Sequence, residues 1–196
     1  MLEGRIRKRL KSTGIKTFTE YIEYLFSAKG KINEIISMLN SVSTNKTDFY
    51  REAVHYEFLV KEILPNFLKN YTGNALRIWS SASSSGEEAY SAAIEIEEYL
   101  LNNRHFPYTI FCTDISTDVL KQAKEGIYKL NRIEDIPKEI QKKYFIKNFD
   151  KQNPTVKVIP KLRSKIFCNR LNLMDSHYNT PYMFDVIFCR NVLIYF

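Results

Sequence analysis

The stretch Arg77-Ile78-Trp79-Ser80-Ser81-Ala82-Ser83-Ser84-Ser85-Gly86-Glu87-Glu88-Ala89-Tyr90 sets the reading of this chain. An apolar run, Leu76 to Trp79, gives way to six small residues and a glycine, and a helix opens at Glu87. A strand, a tight loop and a helix start in that order form the place where many α/β folds hold a nucleotide-like cofactor. Small side chains let the backbone approach a ligand, and a helix N-terminus offers unpaired N–H groups. Two acids directly after the glycine repel a phosphate, yet they accept from hydroxyls or an amine and attract a cation. The loop therefore points to a methyl-sulfonium cofactor rather than to a nucleotide phosphate.

Outward from this loop the chain alternates strand and helix. Leu76 to Ala82 reads as a strand and Gly86 to Leu101 as a helix burying Ala89, Ala92, Ala93 and Ile96. Tyr108 to Thr113 is a second apolar strand, Asp118 to Glu125 a second helix, and Phe184 to Cys189 a third strand. Such alternation predicts an α/β fold with a parallel sheet covered by helices. Within it, Phe145 to Phe149, Thr155 to Ile159 and Ile166 to Leu173 read as short antiparallel strands, a small β-rich insertion over about residues 132–170.

Before the loop, residues 1–43 form a helical domain: Phe18, Tyr21, Ile22 and Leu25 recur at helical spacing, as do Ile32, Ile35, Ile36 and Leu39. Residues 44–75 lead into the main domain, 76–196, through a polar hinge and a helix from about Tyr56 to Leu68, which Pro65 interrupts early or not at all.

The 196 residues are 44% hydrophobic and 14% aromatic, enough for one packed domain with an appendage. No apolar run approaches the roughly 20 residues of a membrane span. Cys112, Cys168 and Cys189 are far apart in apolar runs, as expected for buried thiols of a cytoplasmic protein. No pair has zinc-ligand spacing, so no metal is expected. The net charge is +7, with six Lys/Arg in residues 1–16 and ten in residues 138–170. Two basic patches suit an acidic partner (nucleic acid, an anionic membrane surface or an acidic protein) or are simply solvated faces.

Several polar residues stand where a sheet meets its ligand. Asp114 ends the second strand 28 residues after Gly86. That matches the spacing of an acid that holds ribose hydroxyls, and equally a helix cap for the residues that follow. Asn172 follows an apolar strand, where a carboxamide reads an adenine edge or merely turns the chain. Arg190 and Asn191 follow the third strand, and Tyr195 lies four residues beyond Asn191, sharing a helical face with it or packing in the core. Arg51 and Glu52 read by default as a surface ion pair.

Together these pieces resemble one family. Thr44-Asn45-Lys46-Thr47-Asp48-Phe49-Tyr50-Arg51-Glu52, the Trp79–Ser91 loop, Thr113-Asp114-Ile115-Ser116 and Phe184–Phe196 are similar, in order and spacing, to four motifs of the CheR chemotaxis-receptor methyltransferases. Ser81-Ala82 and Ala89 depart from the usual Ala-Gly and Pro. The resemblance implies a Rossmann-like S-adenosylmethionine-dependent domain, without its C-terminal sheet strands and with only part of the N-terminal helical domain. It implies transfer of a methyl group to glutamates on the cytoplasmic domain of methyl-accepting chemotaxis receptors, giving γ-methyl esters and S-adenosylhomocysteine. Asn45, Thr47, Arg51, Glu88, Asp114, Asn172, Leu173, Arg190 and Asn191 would line the cofactor site, with Arg51 and Tyr195 nearest the methyl group. The helix near Arg5–Lys11 would face the acidic receptor bundle. The chain would act as a monomer, without nucleic acid and without membrane insertion. A non-catalytic relative that binds cofactor or receptor without turnover is the alternative.

Overall fold

The computed structural model describes residues 2–148, 150 and 152–195 and, of Tyr195, the backbone alone. Four helices come first: α1 (Leu2–Thr13), α2 (Phe18–Phe26), α3 (Ala28–Asn33) and α4 (Ile35–Val42). Thr17 caps α2 by accepting from Glu20 N–H, and Ser27 both ends α2 and caps α3 through Gly30 N–H. Leu10, Tyr21 and Leu25 form a small core of their own. Beside it, Arg9 forks onto Glu34 with two bonds of 2.8 Å, and the Tyr21 hydroxyl donates to the same carboxylate at 2.8 Å. The single helical face expected from Ile32 to Leu39 is broken at Glu34, and Ile32 is exposed. The close approach of Gly30 to the Tyr24 carbonyl turns the chain between α2 and α4, which no periodicity count registers.

The helix expected over Tyr56–Leu68 is two short helices, α5 (Val54–Phe58) and α6 (Leu64–Lys69), joined by a π-helical turn, Leu59–Ile63. The widened turn falls just before Pro65, which has no N–H to give to residue 61 and whose ring crowds that carbonyl.

The main sheet contains β1 (Leu76–Ser80), β2 (Tyr108–Asp114), β6 (Ile166–Arg170) and β7 (Val186–Phe188) in the order β6-β2-β1-β7, all parallel. Helices α7 (Glu87–Leu100) and α8 (Thr117–Glu125) follow β1 and β2. Ala89, Ala92, Ala93 and Ile96 of α7 are buried in the core with Leu76, Ile78, Ile110 and Cys112 of the strands. On Trp79 and Phe111 the ring of Phe184 stacks at 5.3 and 5.8 Å. Phe184 is thus a cover for the sheet, and β7 begins only at Val186, later than its apolar run suggested.

A second sheet, β3 (Ile127–Lys129), β4 (Phe145–Asn148) and β5 (Thr155–Val158), is antiparallel in the order β3-β5-β4, with α9 (Lys138–Tyr144) and α10 (Pro160–Arg163) beside its strands in sequence. The expected end of β4, Phe149, lies outside the described residues. Two strand assignments change. Ile127–Lys129 joins this sheet, and Ile166–Arg170, expected within it, instead pairs in parallel with β2, Cys168 opposite Cys112. As an edge strand β6 is covered unevenly: Ile166 is buried and Phe167 half exposed. That alternation is the mark by which antiparallel surface strands are usually read.

Candidate cofactor site

The C-terminal ends of β1, β2, β6 and β7 open into a cavity of about 400 Å³. That is within the range of roughly 300–1,000 Å³ of small-molecule sites, and at the sheet edge where open α/β folds bind ligands. Its lining comes from the segment 42–51, the loop after β1, Asp114 and Ile115 at the end of β2, the turn 171–174 after β6 and residues 190–192 after β7, with Tyr56 of α5 and Glu88 of α7.

The loop after β1 is fixed by its own N–H groups. Ser81 N–H donates to Phe188 O and Ser83 N–H to Thr113 O, both at 2.9 Å, and Ser84 N–H donates to Asp114 Oδ2 at 3.0 Å. These donors are therefore spent within the protein, which fits the absence of phosphate chemistry read from Glu87 and Glu88. Gly86 stands at φ +94°, and a Cβ there would lie 2.8 Å from Ala123 Cβ, so the loop can meet α8 only with glycine.

Asp114 lines the cavity and also bonds the backbone just ahead of α8. Its Oδ1 accepts from Ser116 N–H at 2.9 Å, a local turn ahead of α8, whose N-cap is Ser116 itself, so the expected cap of that helix by Asp114 is not made. A carboxylate has about four acceptor positions, so two backbone donors leave capacity for ligand hydroxyls. Burial pushes its pKa up, and the backbone N–H groups pull it partly back.

Of the two acids in the first turn of α7, only Glu88 lines the cavity. It accepts from Ser80 Oγ at 2.6 Å and from Arg190 at 3.3 Å, and burial raises its pKa against those partners. Glu87 points away and is ion-paired with Arg132 at 2.6 Å.

Arg190 gathers the remaining wall. Besides Glu88, its guanidinium donates to the Tyr56 hydroxyl at 3.3 Å, to Glu52 at 3.1 Å and to the Arg51 carbonyl. Asn191 Nδ2 donates to the other Glu52 oxygen at 3.0 Å. The expected surface pairing of Arg51 with Glu52 is thus replaced: Glu52 serves Arg190 and Asn191, and Arg51 reaches the Lys46 carbonyl at 2.9 Å. Tyr50, Glu52, Ser84 and Asn191 all have positive φ between 48° and 55°. Four such non-glycine residues in the walls of one site or next in sequence to them represent stored backbone strain of the kind that gathers at functional positions.

Asn45, Thr47, Arg51, Glu88, Asp114, Asn172, Leu173, Arg190 and Asn191 all line this one cavity. Asn172 also makes a local turn, accepting from Met174 N–H and donating to Asp175, both at 3.1 Å. The backbone of Tyr195 belongs to a 3-10 turn, Leu193–Tyr195, while its side chain lies outside the described residues. Tyr56, Ser84, Ile115 and Met174 line the cavity without having been singled out in the sequence. Tyr56 stood only as the start of an expected helix, and its hydroxyl's partner is 134 residues away.

The donor set fits a cationic, zwitterionic cofactor. Three acids, Asp48, Glu88 and Asp114, balance Lys46, Arg51 and Arg190 around the lining. A parallel sheet with such a cavity at its C-terminal edge, acids in place of a phosphate cradle, defines a Rossmann-like methyltransferase domain. The family model "CheR methyltransferase, SAM binding domain" matches residues 45–196. All of the chain aligns with chemotaxis protein methyltransferases, at 40% identity with that of Borreliella burgdorferi, and at 34% with those of Salmonella typhimurium and Escherichia coli. It spans 69%, 65% and 66% of their respective lengths, about two thirds. The chain belongs to the CheR methyltransferase family, and S-adenosylmethionine is its cofactor.

Proposed function

We propose that the chain methylates glutamate side chains on the cytoplasmic domain of methyl-accepting chemotaxis receptors, in the cytoplasm, yielding γ-methyl esters and S-adenosylhomocysteine. The observation that carries this reading is the chemistry of the cavity wall. Its described lining includes acids, amides, hydroxyls and arginines but no histidine or cysteine to act as a base. A glutamate carboxylate is already ionised at neutral pH and needs none. Its oxygen forms a bond to the methyl carbon as the carbon–sulfur bond breaks, and the bonding pair stays on sulfur. The protein has only to align the two and exclude water.

In this reading the Asp114 carboxylate takes the ribose hydroxyls and Asn172 and Leu173 meet the adenine. Glu88 faces the amino group, and Arg190 screens Glu88. Asn45, Thr47 and Asn191 close the walls. Arg51, free of any carboxylate partner among the described residues, holds the substrate or cofactor carboxylate, with Tyr195 beside the methyl group. The relatives' name, chemotaxis protein methyltransferase, supports the substrate class. The acidic partner would meet Lys8 and Lys11 on α1, since Arg5 donates to Val42 O and Ser43 O and Arg9 is paired with Glu34.

The test is transfer of labelled methyl from S-adenosylmethionine to membranes bearing receptors, with the product checked for release by mild alkali, as an ester requires. Binding of S-adenosylhomocysteine without any transfer would overturn the enzymatic reading and leave a binding module.

A further inference from the structure

Arg132 is not part of the cavity wall, and nothing in its sequence surroundings marks it. It sits in a 3-10 turn, Leu130–Ile133, between β3 and α9. Its guanidinium nevertheless reaches three groups on two other segments. Nη1 donates to Asp48 Oδ1 at 2.6 Å, and Nη2 donates to Glu87 Oε1 at 2.6 Å and to the Thr47 carbonyl. Residues 43–48 belong to no helix or strand. They carry Asn45 and Thr47 into the cavity, and their carbonyls are held by side chains: Asn45 O by Ser84, Lys46 O by Arg51 and Thr47 O by Arg132.

Glu87 is the fixed end of this tie. Its side chain is 1% exposed, and its second oxygen accepts from Ser85 Oγ at 2.7 Å. The Ser85 carbonyl in turn accepts from the Tyr128 hydroxyl of β3 at 2.7 Å. The neighbourhood of the antiparallel sheet thus grips the start of α7 at two points, and one of them, Arg132, extends to the cavity segment.

We infer that Arg132 is a positioning residue. It locks residues 47–48 against the first turn of α7 and so sets the affinity for the cofactor from outside its site. A planar fork reaches Asp48 from one nitrogen and Glu87 and Thr47 from the other, whereas a lysine ammonium offers its three donors from a single point on a flexible stem. This rests on the cavity being the cofactor site.

The test uses Arg132→Lys and Glu87→Gln, both outside the cavity lining, with titration calorimetry of S-adenosylhomocysteine. Arg132→Lys keeps a charge beside Glu87 and loses the fork; we expect about tenfold weaker binding at unchanged stoichiometry, and a raised KM for the cofactor with kcat kept. Glu87→Gln, which frees the anchored end, is expected to weaken binding in the same direction. The double variant should bind no worse than the weaker single one, because one tie is broken in each. A merely structural role would lower the stoichiometry while the surviving fraction kept the wild-type Kd, and that result overturns the inference. So does wild-type affinity in both variants. If Arg132→Lys does not fold, Glu87→Gln decides by the same criteria. A wild-type chain that fails to bind S-adenosylhomocysteine overturns the cofactor site, and this inference with it.

Discussion

Arg190 Nη1 stands 3.3 Å from Glu88 Oε2, with the two side chains only 10% and 12% exposed. The contact joins the end of β7 to the first turn of α7 across the cavity. Removing one member of a buried charge pair leaves the other without compensation, at a cost of roughly 3–5 kcal/mol. Arg190→Leu should therefore lower stability by about that amount, read as a shift in the urea unfolding midpoint at constant slope. A midpoint equal to wild type would show that Glu88 does not depend on Arg190.

Glu88 gives a pH dependence whose sign follows from burial. Its folded pKa is raised above the ordinary 4.5, so the folded state binds the proton more tightly than the unfolded one. Its contribution to stability is then largest below 4.5 and declines as pH rises through the window between 4.5 and the folded value. Cofactor affinity should move the other way if, as proposed, the ionised form faces the amino group. Isothermal titrations of S-adenosylhomocysteine should strengthen with pH across that window, and Glu88→Gln should remove this share of the dependence, leaving that of Asp114. An unchanged profile in Glu88→Gln would refute the assignment.

Arg51→Ala should lower kcat/KM by about 10²-fold through lost alignment of the carboxylate that Arg51 is proposed to hold. Its side chain makes one hydrogen bond within the described protein, to the Lys46 carbonyl, so the unfolding midpoint should stay near wild type. Turnover within a few-fold of wild type would sink the role.

Gly86→Ala tests the loop. The residue has φ +94°, and the added methyl would meet Ala123 Cβ at 2.8 Å and Ala123 Cα at 3.0 Å. Strain of about 1–3 kcal/mol from the dihedral and a similar amount from overpacking should both appear in thermal unfolding. A variant as stable as the parent would mean that α7 and α8 can part without cost.

Glu34→Ala should cost about 1.5–3 kcal/mol, the worth of hydrogen bonds to a charged group. Arg9 and Tyr21 both donate to that carboxylate. These donors, Arg9 first, hold its pKa below the ordinary 4.5, so its contribution is full above 4.5 and lost as pH falls through the folded value. Urea unfolding at pH 7 and at pH 3 should give a large difference between variant and parent at the first and a smaller one at the second.

What could be read in advance depended on how local the cause was. The loop from Trp79 to Tyr90 is written in neighbouring residues: small side chains, one glycine with a forced φ and two acids. Ile166–Arg170 was placed in the wrong sheet because an edge strand's alternation reports how much of each face is covered, not which strand lies beside it. Tyr56 and Arg132 went unnoticed because their partners lie far along the chain, and long polar side chains leave no periodic trace of what they reach.

By itself the sequence determined the α/β class and pointed to a sulfonium-type cofactor through short-range chemistry, while the resemblance of four motifs to a family supplied the family and many of the residues that come to one cavity. Only the tertiary structure decided that β6 flanks β2 in parallel, that Glu52 serves Arg190 rather than Arg51, and that Arg132 ties the cavity segment to α7. The parallel pairing joins residues more than 50 positions apart, and the ties from Arg190 and Arg132 span 138 and 45 positions. At such separations partners are chosen by the packing of whole elements, which is a property of the assembled fold.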